Sequence, residues 1–153
     1  MNGEIETYLA RLTGLRSEVW ETLEDLDTAA LNWTPLPEGT NSLLVLATHS
    51  LGAEHGWIAE VVGREPKTRI RANEFRARGS GLEQLRERFE ATARESERIL
   101  SGLNESDLNE TREGTSGETV TVRWAIIHVI EHYAEHLGQM SLTRQLWGSK
   151  NNA

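Results

Sequence analysis

Apolar residues recur at three- and four-residue steps along four long stretches of this chain, and the strict alternation of a strand is scarce. Ile5, Tyr8, Leu12, Leu15, Val19, Leu23 and Leu26 predict a first helix over residues 4–26. Pro35, Pro37 and Gly39 mark residues 27–40 as a loop. Thr40, Asn41 and Ser42 offer N-caps for a second helix that ends near Gly63. Residues 64–80 read as a connection with one short helical turn. Ser80 and Glu83 have the spacing of a capping box, opening a third helix to about Leu100. Its inward face is Leu82, Leu85, Phe89, Thr92, Ser96 and Ile99. A short turn follows at 104–108. Residues 111–121 read as irregular or as a small hairpin. A fourth helix runs from Thr121 to about Trp147. The pattern predicts an all-α, four-helix bundle, one domain over residues 1–148, with a frayed tail at 149–153.

Composition narrows the chemistry. The chain has 153 residues, no cysteine and a net charge of −8. Disulfides and thiolate nucleophiles of its own are excluded, and a metal must be held by His, carboxylate, carbonyl or water. The negative charge opposes general nucleic-acid binding. No leader-like or membrane-spanning apolar run is present, which together with the lack of cysteine suits a cytoplasmic protein. Charge is uneven, however. Arg64, Lys67, Arg69, Arg71, Arg76 and Arg78 face only Glu65 and Glu74 across residues 64–78. That stretch is either a solvated loop or a landing surface for an anionic ligand or an acidic neighbouring subunit.

Four of the five histidines fall on helical patterns that can meet. His128, His132 and His136 are spaced by four, so their side chains rise from one side of the last helix. Taking Ile126 as zero, His136 lies about 80° away, His132 about 120° and His128 about 160°. His132 and His136 therefore border the apolar stripe, and His128 faces outward. On the second helix His49 lies about 120° from Leu43, at the flank of the stripe, and His55 lies on the opposite flank, as a surface residue. Glu54 lies only about 20° from Leu43, amid apolar positions. A carboxylate there is either a buried partner of an Arg or a histidine N–H, or an acid/base group beside a metal. Trp20, Trp124 and Trp147 on long helices are more aromatic surface than a small bundle hides, which predicts a homodimer.

The segment Glu131-His132-Tyr-Ala-Glu-His136-Leu-Gly-Gln139 resembles the His-x-x-x-His-x-Gly-Gln run of the DinB-like superfamily. Leu31-Asn-Trp33-Thr-Pro35-Leu-Pro37, Asn41-Ser42 and Ala47-Thr-His49 are similar to that family's first loop and second helix. The superfamily includes thiol-dependent S-transferases and mycothiol-dependent maleylpyruvate isomerases. The resemblance implies an up-down-down-up four-helix bundle with a long crossover between the second and third helices. It also implies one divalent metal ion, nickel or zinc, on His49, His132 and His136, and dimers. The isomerase members carry a further C-terminal domain, which this chain is too short to hold.

These readings leave three functions in order of preference. The first is a metal-dependent enzyme passing a low-molecular-weight thiol to an electrophile, with a metal-dependent hydrolase as its variant and Glu54 as the candidate catalytic carboxylate. A non-catalytic metal-binding or stress-response protein is second. A metal-free bundle with satisfied histidines is third.

Overall fold

The computed structural model describes residues 3–79 and 82–152. Nearly all of them lie in or between helices. Helix α1 (Gly3–Leu23) buries Ile5, Leu12, Leu15, Val19 and Leu23 completely, which is the stripe the spacing predicts. The loop after it holds an unpredicted short helix, α2 (Thr28–Asn32), whose first turn is capped by the Asp27 carboxylate accepting from the Ala30 N–H at 2.9 Å. Helix α3 (Leu43–Glu54) starts where Ser42 accepts from the Val45 N–H. It continues as a π-helical stretch, His55–Val62.

Helix α3 departs from the predicted pattern. Every residue from Leu43 to Glu54 is buried, so it has no polar face and His49 sits inside rather than at a border. A helix buried all round is a central one. The next segment, 64–82, contains the short helix α4 (Arg71–Glu74). Helix α5 (Glu83–Ser101) buries Leu85, Phe89, Ser96, Ile99 and Leu100. Ser80 lies outside the described residues, and the predicted capping box with it. A 3₁₀ turn (Asp107–Asn109) leads into a hairpin, β1 (Thr111–Glu113) and β2 (Thr119–Thr121), paired antiparallel with Arg112 opposite Val120.

Helix α6 spans Val122–Asn151, past the predicted end at Trp147. The extra turn is held from outside: Trp147 packs on Trp33 with ring centroids 5.6 Å apart, and the Lys150 ammonium lies over both rings. The four long segments neighbour one another in a ring. Helix α1 packs on α6 and α5, and α3 with its π-helical extension packs on the same two. Among the described residues, no helix is long and apolar enough to cross a membrane.

Two surface clamps tie α1 and the turn that follows it to α6. Arg123 donates to both Glu4 carboxylate oxygens, and Arg144 to both Asp25 oxygens. The Arg123 and Tyr8 hydrogen bonds hold the Glu4 carboxyl down at about 2. A depressed carboxylate stabilises the fold above its unfolded value and loses that contribution as pH falls through the folded one. Glu4→Gln is therefore expected to shrink the acid-side loss of thermal stability between pH 4.5 and about 2, read as melting temperature against pH beside the parent protein.

Candidate metal centre

The site is built where α3 crosses α6. His49 projects from the buried helix, and His132 and His136, one turn apart, project from α6. Their Nε2 atoms converge: His132 lies 3.0 Å from His49 and 3.2 Å from His136. Among the described residues, these three form a group whose ligand atoms all lie within 4.8 Å of one another. Metal–nitrogen bonds of about 2.0–2.1 Å require ligand nitrogens roughly 3.0–3.4 Å apart around one ion. Both Nε2 separations fall in that range.

The outer ring nitrogens fix which lone pairs point inward. Glu74 is an acceptor, so His49 Nδ1–H donates to its Oε1 at 2.8 Å and leaves Nε2 bare. His136 Nδ1–H donates to Gln139 Oε1 at 2.8 Å with the same result. Two lone pairs therefore aim at His132 Nε2. His132 Nδ1 is buried and has no hydrogen-bond partner among the described residues. One ring proton on His132 can ease the repulsion between three such nitrogens, and a cation does so for all three at once. Burial, then the neighbouring histidines, push His132 down to about 3, so it stays neutral and able to ligate at neutral pH. The donor set and its backing fit a divalent ion that favours imidazole.

Glu74 was not singled out in the sequence, where it is one of two acids in a basic stretch. In the structure it is a central part of the site. Burial raises its pKa, but hydrogen bonds from Arg69 and His49 outweigh this and leave it at about 2. Arg69 grips it with two bonds, 2.8 Å to Oε2 and 2.9 Å to Oε1. This Arg–carboxylate–histidine chain fixes the ring and its tautomer. Gly52 makes room for it: a Cβ there would collide with the Glu74 carboxylate. At Gly56 a Cβ would come within 2.8 Å of Arg69 Cδ. The two glycines, Gly52 on α3 and Gly56 in its π-helical extension, form the notch in which the following segment docks. Glu74→Gln is expected to weaken metal affinity about 10- to 100-fold while the helical circular dichroism is kept. Gly52→Ala should do the same by displacing the carboxylate. Titration with zinc against a competing chelator measures both, and unchanged affinity in the pair would remove Glu74 from the site.

The other sequence candidates fall elsewhere. Glu54 is fully buried and engaged by Arg16 at 2.5 Å, Ser96 at 2.6 Å and Tyr133 at 2.7 Å. Burial pushes its carboxyl up, against the pull of Arg16 and the two hydroxyls. Each of these partners comes from a different helix, and none is one of the three histidines. His55 is half-buried rather than a plain surface residue, because its Nδ1 meets Glu95 at 2.7 Å and its Nε2 meets Thr68 at 2.9 Å. His128 stacks on Trp124, its ring centroid 6.2 Å from that of His132. Glu131 and Glu135 are exposed. Much of the basic segment is spent on ion pairs: Arg64 with Glu110, Lys67 with Glu113 and Arg69 with Glu74.

A helical scaffold that aims three imidazole nitrogens at one point, with a carboxylate and an amide behind two of them, defines a protein with a candidate three-histidine metal site. The chain belongs to the mycothiol-S-transferase family, whose model matches residues 7–148. Among solved structures, it is similar to a conserved protein from Enterococcus faecalis, at 17% identity and a TM-score of 0.76, covering 95% of this chain and 97% of that one. It is likewise similar to a DinB-like protein from Bacillus cereus, at 18% identity and a TM-score of 0.76, covering 94% and 92%. These two likenesses establish a shared DinB-like fold. No curated protein matches the chain.

Proposed function

We propose that this protein is a metal-dependent enzyme that transfers a low-molecular-weight thiol, mycothiol in the first instance, to an electrophile. Its metal is one divalent ion, nickel or zinc, on His49, His132 and His136. The observation that carries the reading is the convergence of three Nε2 atoms backed by Glu74 and Gln139. Three side-chain ligands suit an open site with room for a further ligand. A divalent ion there supplies positive charge that lowers the pKa of a thiol brought to it. The chain's own residues do the rest. Glu74 and Gln139 keep the Nδ1 protons in place, so that Nε2 is the ligating atom on His49 and His136. Phe75 packs its ring 4.7 Å from that of His49. Glu54 acts as a structural carboxylate joining four helices.

The test is transfer of mycothiol to a generic electrophile by metal-loaded, chelator-stripped and reloaded protein. Activity that disappears with the metal and returns with it supports the reading. One ion bound per chain with no transfer by any thiol would leave non-catalytic metal binding in its place.

Two further parts belong to this reading. We infer that the four long segments run up-down-down-up, with residues 64–80 as the crossover. Glu4–Arg123 and Asp25–Arg144 pair α1 and α6 start to start and end to end, and His49 and Trp57 meet His132 and Trp124 in reverse order, which supports it. The protein is also proposed to be a cytoplasmic homodimer. Leu36, Leu142 and Leu146, 58%, 56% and 43% exposed, line one groove between the first loop and the end of α6. Sedimentation at micromolar concentration is expected to show a dimer, and Leu142→Glu with Leu146→Glu should convert it to a monomer.

A further inference from the structure

Beside the histidine cluster lies a cavity of about 350 Å³. His49 and His132 line it, together with Trp57, Trp124, His128 and Arg71. The residues of the hairpin turn, Thr115, Ser116 and Glu118, line it as well. Its volume is at the small end of ligand sites and admits one compact molecule.

Two features of the lining remain unspent. The first is aromatic. Trp124 stacks on His128 at 4.8 Å with the rings 7° from parallel, and Trp57 meets both edge-on at 5.4 and 4.9 Å. Yet Trp124 is 45% exposed, a large rigid ring held in place and still open to solvent. A planar apolar body covering it would gain area burial and ring contact together. The second feature is a charge. Arg69 is committed to Glu74, and Glu118 accepts the Ser116 N–H. Among the described residues Arg71 has no carboxylate within ion-pair range. Its guanidinium lies 4.8 Å over the Phe75 ring, whose other neighbour is His49. A free guanidinium at the mouth of a cavity in a chain of charge −8 selects for an anion.

We propose that this cavity is the electrophile site, and that it takes a planar, singly charged carboxylate of benzoate size. Its ring lies against Trp124 and Trp57 and its carboxylate lies on Arg71, which turns the reacting carbon toward the histidine cluster. The assignment to the electrophile rests on the thiol-transfer reading; the shape and charge of the ligand do not.

The probe is 4-chloro-3-nitrobenzoate, with its methyl ester as the neutral control. In transfer, the thiol sulfur bonds to the ring carbon bearing chlorine, the C–Cl bond breaks with its electron pair leaving as chloride, and the thiol proton passes to solvent. Binding of both compounds to metal-loaded full-length protein is first measured by calorimetry without thiol. Arg71→Gln is expected to weaken the acid about tenfold, the worth of one charge-assisted hydrogen bond, and to leave the ester within about twofold. Arg71→Lys should recover part of the loss, and Trp124→Ala should weaken acid and ester alike, all at unchanged metal content. Equal affinity of wild-type protein for acid and ester, or an Arg71→Gln variant that binds the acid normally, would overturn the site. Should Arg71→Gln instead raise KM for N-acetylcysteine but not for its amide, with benzoate affinity intact, Arg71 serves the thiol and the proposal fails. Discrimination in binding without turnover by any thiol would sink the transfer reading and leave the cavity site standing. Turnover without discrimination would do the reverse.

Discussion

Protein carrying His132→Ala or His136→Ala is expected to purify with less than about a tenth of an ion per chain, against about one in the parent, because a three-ligand site loses a third of its bonds. His132 is the more damaging of the two. Its Nε2 lies between the other two, 3.0 and 3.2 Å away, so its removal dissolves the cluster rather than trimming it. The chain should still fold, since both histidines are only partly buried and the core beneath them is Val129, Tyr133 and Met140. Elemental analysis with circular dichroism on the same samples decides it. Full metal in both variants would refute the ligand set. His128→Ala and His55→Ala are expected to keep metal, as their rings are engaged by Trp124 and by Glu95 instead. Affinity should also weaken in acid, because only neutral imidazole ligates.

A different kind of damage is expected from Glu54→Ala. This variant leaves the Arg16 guanidinium, itself buried, without its counter-charge, and leaves the Tyr133 and Ser96 hydroxyls without their acceptor. Breaking a buried pair from one side costs about 3–5 kcal/mol. For a chain of this size each kcal/mol lowers Tm by about 2–4 °C, so a fall on the order of 10 °C is expected. Metal bound per folded chain should not change. Chemical denaturation followed by metal analysis separates the two quantities. Glu54→Gln is the informative companion, since it keeps the shape and removes the charge. A stable, metal-loaded Glu54→Gln protein with no transfer activity would return Glu54 to the chemistry as an acid or base.

Much of this molecule was legible along the chain, and for physical reasons that can be named. Heptad-like spacing in α1 and α5 marked their buried faces because each is a one-sided helix. His132 and His136 were recognisable because four residues is one helical turn, so their proximity is local. Glu54 stood out as a carboxylate on an apolar face. Helix α3 shows where the same reasoning stops. Buried on all sides and ending in a π-helical stretch, it has no stripe for a wheel to find. The wheel puts His49 at a border that the structure does not have, and its ring nevertheless meets those of His132 and His136.

The four long helical segments and the two histidines one turn apart were legible in the chain because they follow from neighbours within a few residues, and the lack of any thiol ligand from its composition alone. Tertiary structure alone decided which distant side chains meet. Glu74 reaches His49 from 25 positions away, through a notch left by Gly52 and Gly56 and under the grip of Arg69. Arg16, Ser96 and Tyr133 find Glu54 from three other helices. Among the described residues Arg71 has no carboxylate partner, while Arg64, Lys67 and Arg69 of the same basic stretch are paired. Charge counted along a chain cannot distinguish a spent arginine from an unspent one, because pairing depends on distances in space that only the packing of α3, α4 and α6 sets.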